Sequence, residues 1–220
     1  MYKNKYVNVI AKFFAVIVGL RLLLVPFLGN PVSKFLYYFD VKEYVENKYS
    51  FDIELGMVRY STKEGTYYIN AESPEYPGID FRIKLNKDSG EISDNLVCMK
   101  WCDDSRLLLK SYVVSKYTRA DINFGLTRFS ESDFIGTQKP IEKIPNFLEV
   151  EKNGEYISNV VIWTNSDYGY THLDNAFTIY QTARKFFKNV SVTIKYNGTS
   201  FYVPHTRVAR NRTEFSKFGS

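Results

Sequence analysis

Cys98-Met-Lys-Trp-Cys102 is the tightest grouping of reactive side chains in a chain of 220 residues that holds two cysteines and two histidines. Thioredoxin-like redox motifs separate their cysteines by two residues, so that one sulfur lies at a helix N-terminus with a lowered pKa; here the gap is three. On a continuous strand the two Cα atoms would stand about 13 Å apart, too far for a bond, whereas a turn or helical coil brings them within range. The expectation is a small structural disulfide between Cys98 and Cys102, with two unlinked thiols as the alternative and redox catalysis behind both. A tetrahedral zinc site would require Cys98, Cys102, His172 and His205 to converge, because the chain has no other cysteine or histidine.

The second grouping, SDYGYTHLD over residues 166–174, sets His172 between Asp167 and Asp174, a set that could serve acid/base chemistry. The competing reading is a helix start, with Thr171 as the cap and Asp174 at the positive end of the helix. Asp103-Asp104 and Glu149/Glu151 read as exposed charges or caps. The sequence has no G-x-S-x-G, no phosphate-binding glycine loop, no G-x-G-x-x-G and no H-E-x-x-H. No catalytic residue, cofactor or metal is therefore assigned, and the expected class is a non-enzymatic binding or regulatory protein. A thiol-redox or hydrolytic enzyme using Cys98/Cys102 or His172 is the enzymatic alternative.

The compartment in which these residues work depends on the opening segment. Between Phe13 and Leu28 there are twelve Phe, Val, Ile or Leu residues. Each contributes about −0.3 to −0.6 kcal/mol to membrane insertion, against about +2.5 to +3.5 for Arg21. From Val7 to Gly29 the segment would span roughly 34 Å as a helix, enough to cross a bilayer. Lys12 and Arg21 fall on opposite sides of that helix, so it has no polar stripe of the kind a surface helix needs. FLGNPVSKF lacks an A-x-A-like cleavage site. An anchor is expected over residues 7–29, ahead of a cleaved signal or a soluble helix. Lys3, Lys5 and Lys12, on the N-terminal flank of the apolar stretch Phe13–Leu28, would keep the N-terminus inside and the bulk of the chain outside the cytoplasmic membrane. Arg21, a charge within the span, points to a partner helix or carboxylate and to the further alternative of a structural subunit in a membrane complex.

The net charge of +5 invites a nucleic-acid reading, but its distribution removes it. Residues 1–34 carry Lys3, Lys5, Lys12, Arg21 and Lys34 and no acid, while the other 186 residues hold 24 basic and 24 acidic side chains. Residues 35–104 alone hold 8 basic and 14 acidic ones. The expected partners are the bilayer, through residues 7–29, and a protein or cell-envelope component, with no nucleic acid.

The remaining elements follow from periodicity. Asp40-Val-Lys-Glu43 has capping-box spacing, and a helix beginning near 33 or 40 should end at 49. DIELGMVRYS, TYYINAE and IDFRIKLN alternate as strands, with Ile53, Leu55 and Met57 inward in the first. Asp104-Ser105 precedes a weaker helix, RLLLKSYVVSKY. DINFGLTRF and EYISNVVIWT follow as strands, and then an amphipathic helix carries Leu173, Ala176, Phe177, Tyr180, Ala183 and Phe187 on one face. VSVTIKY-Asn197-Gly198-TSFYVP is a two-residue hairpin signal.

GNPVSK directly after the span, the helix ending ENKYSFDIEL and the Tyr-rich KEGTYYINAES together resemble the YfjL-like proteins of Gram-positive bacteria. The strand, helix and strand over 156–203 are similar to that family's C-terminal region. The resemblance implies a membrane-attached, two-lobed protein of unassigned activity, and it supplies no catalytic residues. The fold class read from the sequence is α+β: a cytoplasmic tail and N-terminal transmembrane helix within 1–34, a helix plus antiparallel meander over 35–104, and a strand-helix-hairpin lobe over 105–204. A basic tail over 205–220, with Arg207, Arg210, Arg212 and Lys217, reads as a solvated terminus.

Overall fold

Asn30 and Pro31 start the helix that follows the apolar run in the computed structural model. The Asn30 side chain accepts a hydrogen bond from the Val32 N–H, and Pro31 occupies the first helical turn, where its missing N–H costs nothing. The helix α1 runs Pro31–Lys48 and buries Tyr37, Val41 and Val45, a stripe at four-residue spacing. Each contributes about 1.5–3 kcal/mol of apolar burial. The sequence reading offered a start at Asp40, but that residue lies mid-helix and exposed. The structure describes residues 10–13, 15, 16, 19, 29–86, 88–117, 120–127, 140–150, 157–167 and 169–220. Most of the apolar run over 7–29, Arg21 included, lies outside the described residues, and among the described residues no helix is long and apolar enough to cross a membrane.

The chain divides into two units, Met1–Leu96 and Val97–Ser220. In the first, β1 (Glu54–Ser61), β2 (Thr66–Glu72), β3 (Phe81–Leu85) and β4 (Ile92–Asp94) form an antiparallel meander in sequence order. Ile69, Ala71, Phe81 and Ile83 are buried, while Asn70, Glu72, Arg82 and Lys84 are exposed, the alternation of a sheet with one wet face. Met57, expected inward, is 81% exposed because a register shift between Leu55 and Val58 adds a residue to β1 and reverses the alternation. Gly56 allows it: a Cβ there would meet the Asn70 carbonyl at 2.7 Å.

The second unit opens with α2 (Leu96–Val114), which starts ten residues before Arg106, where Asp104-Ser105 predicts it. Asp94 is the reason, since its carboxylate takes the Leu96 N–H at 2.9 Å, while Asp103 and Asp104 sit inside the helix, paired to Arg106 and Lys100. The expected division at 104/105 therefore falls within a helix. Then come β5 (Ala120–Thr127), the single turn α3 (Phe147–Val150), β6 (Ile157–Asp167), α4 (Tyr170–Phe186), β7 (Val190–Asn197), β8 (Thr199–Val203) and α5 (Arg212–Ser216). The sheet order is β5-β6-β7-β8; β6 and β7 are parallel, the other pairs antiparallel. A parallel pair needs a long crossover, and α4 supplies it. The Asn197-Gly198 hairpin forms as predicted, with Tyr196 opposite Thr199 and Gly198 at φ +81°. The fold is α+β with two antiparallel-dominated sheets.

The C-terminal residues are not a solvated tail. Phe215 is 1% exposed and stacks on Phe201 at 5.2 Å, and the Ala209 N–H donates to the Tyr180 hydroxyl at 2.9 Å. Ser200 and Ser220 exchange two backbone hydrogen bonds, which covers part of the open edge of β8. The charge count drew attention to the arginines and hid the apolar residues between them.

Candidate functional site

Cys98 and Cys102 lie one turn apart near the start of α2, both half-buried, beside the core stripe of Val97, Trp101, Leu109 and Val113. The expected disulfide is absent. A disulfide needs Cβ atoms about 3.5–4.5 Å apart, whereas helix neighbours at this spacing hold theirs at about 5–6 Å, so bonding would unwind the first turns. A hydrogen bond with Cys98 and burial push the Cys102 thiol well above the ordinary range, and a backbone N–H from Leu126 only partly opposes them. A protonated thiol is a weak nucleophile. The pair is built as part of the core wall.

His172 occupies the first turn of α4. Its Nδ1 accepts the Gly169 N–H at 2.8 Å, so the imidazole closes the helix start that Thr171 was expected to cap. That leaves the ring proton on Nε2. The Tyr196 hydroxyl donates to the His172 carbonyl at 3.0 Å, and the Tyr117 hydroxyl, 3.4 Å from the same carbonyl, has its one proton to give either there or to the Tyr196 oxygen beside it. The Tyr117 ring stacks on the imidazole at 6.0 Å, and burial raises the Tyr117 pKa, partly offset by the Tyr196 hydroxyl. The flanking acids point elsewhere: Asp167 accepts from the Asn197 amide at 3.1 Å, and Asp174 pairs with Arg212 at 3.0 Å. The Nδ1 lone pair that a general base would use is already engaged.

His205 Nδ1 faces the Ser191 hydroxyl at 3.4 Å. The four residues of the zinc alternative do not converge, and no group of three or more His, Cys, Asp or Glu among the described residues is placed to hold a metal ion.

The most concentrated polar cluster is one that the sequence reading missed. Asp94, whose side chain is fully buried, receives the Tyr44 hydroxyl at 2.7 Å, the Lys48 ammonium at 2.9 Å, the Tyr49 hydroxyl at 2.9 Å and the Leu96 N–H at 2.9 Å. Lys48 also lies about 5 Å from the centres of the Tyr44 and Tyr49 rings. A carboxylate is acceptor-only, and here both oxygens are filled by donors. An Asp two residues ahead of the apolar Leu96-Val97 is a helix-start signal, and it was legible in the sequence. The arrival of Lys48 from 46 residues away was not.

Two open grooves in the first unit are lined by described residues. One, of about 340 Å³, is lined by Tyr38, Lys42, Glu46, Phe51, Asp52 and Leu55, mixing both charges with aromatic and aliphatic surface. The other, of about 280 Å³, is lined by Glu54, Glu72, Asp80 and Asn70. The first has the size and chemistry to take a polar small molecule or a short stretch of another chain.

No family model and no curated protein matches the chain. Its fold has a likeness to the crystal structure of a DUF5037 family protein from Ruminococcus gnavus, at 12% identity and a TM-score of 0.42, covering 76% of this chain and 73% of that one.

Proposed function

We propose that this protein is held in the cytoplasmic membrane by residues 7–29, carries its two α+β units on the outer side, and acts by binding rather than by catalysis. The observation that carries the anchor is the run of twelve Phe, Val, Ile or Leu residues between Phe13 and Leu28, with lysines clustered before it. The binding role is supported by the surroundings of three polar groups: burial and Cys98 raise the Cys102 pKa, His172 closes a helix, and Asp94 is filled with donors. The groove between Tyr38 and Leu55 is open to solvent and is the larger of the two described above. The resemblance to YfjL-like membrane-attached proteins leads to the same reading.

The test is a photo-crosslinking amino acid placed at Lys42 in the groove, and separately at Lys84 on the exposed face of β3, in full-length protein in its host membrane. Discrete adducts from position 42 and none from position 84 are expected. Equal or absent crosslinking from the two positions counts against the groove. A second reading, a structural subunit that contacts its partner inside the bilayer, is favoured by Arg21. Under that reading an Arg21→Leu variant loses copurifying subunits while the groove adducts persist.

A further inference from the structure

The outer face of α1 is apolar where it should be wet, and only for its first half. Val32, Phe35, Leu36 and Phe39 are exposed by 64, 64, 58 and 51%. Their spacing of three, four and seven puts them on one stripe, opposite the buried Tyr37, Val41 and Val45. Phe35 and Phe39 pack edge to face at 4.8 Å, so their rings form one continuous surface. Further along the same side the residues become Lys42, Glu43, Glu46 and Asn47, all exposed. An apolar patch that stops after about 12 Å of helix and gives way to charge has the polarity gradient of a helix leaving a membrane surface for water.

The junction with the apolar N-terminal run sets where this face can lie. Asn30 alone separates Gly29, the last residue of that run, from α1. Gly29 is buried with φ +75°, and a Cβ on it would meet the Tyr67 ring at 2.7 Å and the Tyr60 ring at 3.0 Å. The Asn30 N–H donates to the Tyr67 hydroxyl at 2.8 Å, and the Val32 N–H is held by the Asn30 side chain. Gly29 and Asn30 therefore form an elbow clamped to β1 and β2, from which α1 starts directly.

We propose that Val32, Phe35, Leu36 and Phe39 seat in the headgroup–acyl boundary of the same bilayer that holds residues 7–29, so that α1 lies on the membrane and fixes the orientation of the first unit. The proposal rests on the anchored reading given above and adds a second, lateral contact to it.

The experiment uses full-length protein reconstituted in vesicles of equal parts phosphatidylcholine and phosphatidylglycerol. Phe35→Trp and Glu46→Trp, on the same side of α1, are compared, with Phe39→Trp as a second reporter and the parent protein subtracted for Trp101 and Trp163. Flotation first shows whether the protein is in the vesicles. Lipids brominated on the acyl chain should then quench the indole at 35 about threefold or more over the indole at 46, and aqueous acrylamide should show the reverse order, as for a face buried in the boundary region. If the protein floats but acrylamide reaches both positions equally, the face is in water; the proposal fails and the anchor stands. If the indoles at 35 and 39 are shielded from acrylamide yet untouched by brominated lipid, protein covers the stripe, either residues 7–28 or a second copy, and the proposal fails. Protein that does not float overturns both readings.

Discussion

In the first unit, α1 is fastened through a buried carboxylate, Asp94, which gathers hydrogen bonds from Tyr44, Lys48 and Tyr49 on or just after that helix. In the second, α4 and α5 are held to their sheet by rings: Phe177, Tyr180, Phe201 and Phe215 at one end, and Trp101, Phe124, Phe147 and Phe187 at the other. Both units lay helices on one face of a four-stranded sheet, yet one closes on direction and charge and the other on volume. A charged hub sets a single helix position, because losing one partner strands the others in a desolvated site. A ring cluster tolerates small adjustments and responds to lost volume. The unit whose helix position is set by the hub is also the one whose helix meets the proposed membrane, where a fixed position matters most.

Substitutions can separate these two modes of closure, most easily in a chain beginning at Asn30, which keeps the α1 cap. The largest effect is expected for Asp94→Ala, which takes the shared acceptor from an ammonium, two hydroxyls and the Leu96 N–H and should cost about 3–5 kcal/mol. Amide exchange across β1–β4 should rise much more than the tryptophan transition shifts, because both tryptophans lie in the second unit. Asp94→Asn keeps an acceptor for the tyrosines and should lose less. A loss of equal size in both units would mean that the hub supports the whole chain.

Phe215→Ala should cost about 3 kcal/mol through the cavity left against Phe201 and Tyr180, and here the tryptophan transition should move. An unchanged urea midpoint would return residues 205–220 to the solvated tail that their arginines suggest.

Alkaline pH acts on both units. Burial raises the Tyr37 and Tyr117 phenols, and Cys98 together with burial raises the Cys102 thiol. With folded pKa values above unfolded ones, stability is fully present below the unfolded values and falls as pH climbs past roughly 8.5 for the thiol and 10 for the phenols. Tyr37→Phe, which also loses the hydrogen bond to the Ile83 carbonyl, should lower stability at pH 7 and flatten the decline above pH 10. The decline should keep its slope if Tyr37 ionises without penalty in the fold.

The smallest effect belongs to the residues that first drew attention. Replacing Cys98 and Cys102 with Ser should change stability by about 1 kcal/mol or less. Both should alkylate slowly at pH 7 in the folded protein and quickly once it is unfolded. A peptide two mass units light after digestion without reductant would restore the disulfide and place the start of α2 in doubt.

Most elements were legible because their signals are local. TYYINAE and IDFRIKLN alternate cleanly, Asn197-Gly198 dictates a hairpin, and Leu173, Ala176, Tyr180 and Ala183 repeat at helical spacing. The failures came where a tertiary contact overrode a local rule. Gly56 admits a bulge that expels Met57, and Asp94 rather than Asp104 opens α2. The helix start expected at Thr171 is there, but His172 closes it with its ring nitrogen because Gly169 has no side chain to do so. The hub itself joins Lys48 to Asp94 across the meander, and no periodicity encodes that pairing.

The central claim is that this chain is integral to a membrane through residues 7–29, and membranes of cells expressing the full-length protein test it directly. They are washed in high salt and then in alkaline carbonate, and the pellet and supernatant are probed for the folded units. Salt removes electrostatically adsorbed proteins, and carbonate removes those held only at the surface, so an apolar span predicts retention in the pellet through both washes. Release of the intact chain, Met1 included, into either supernatant would contradict the account.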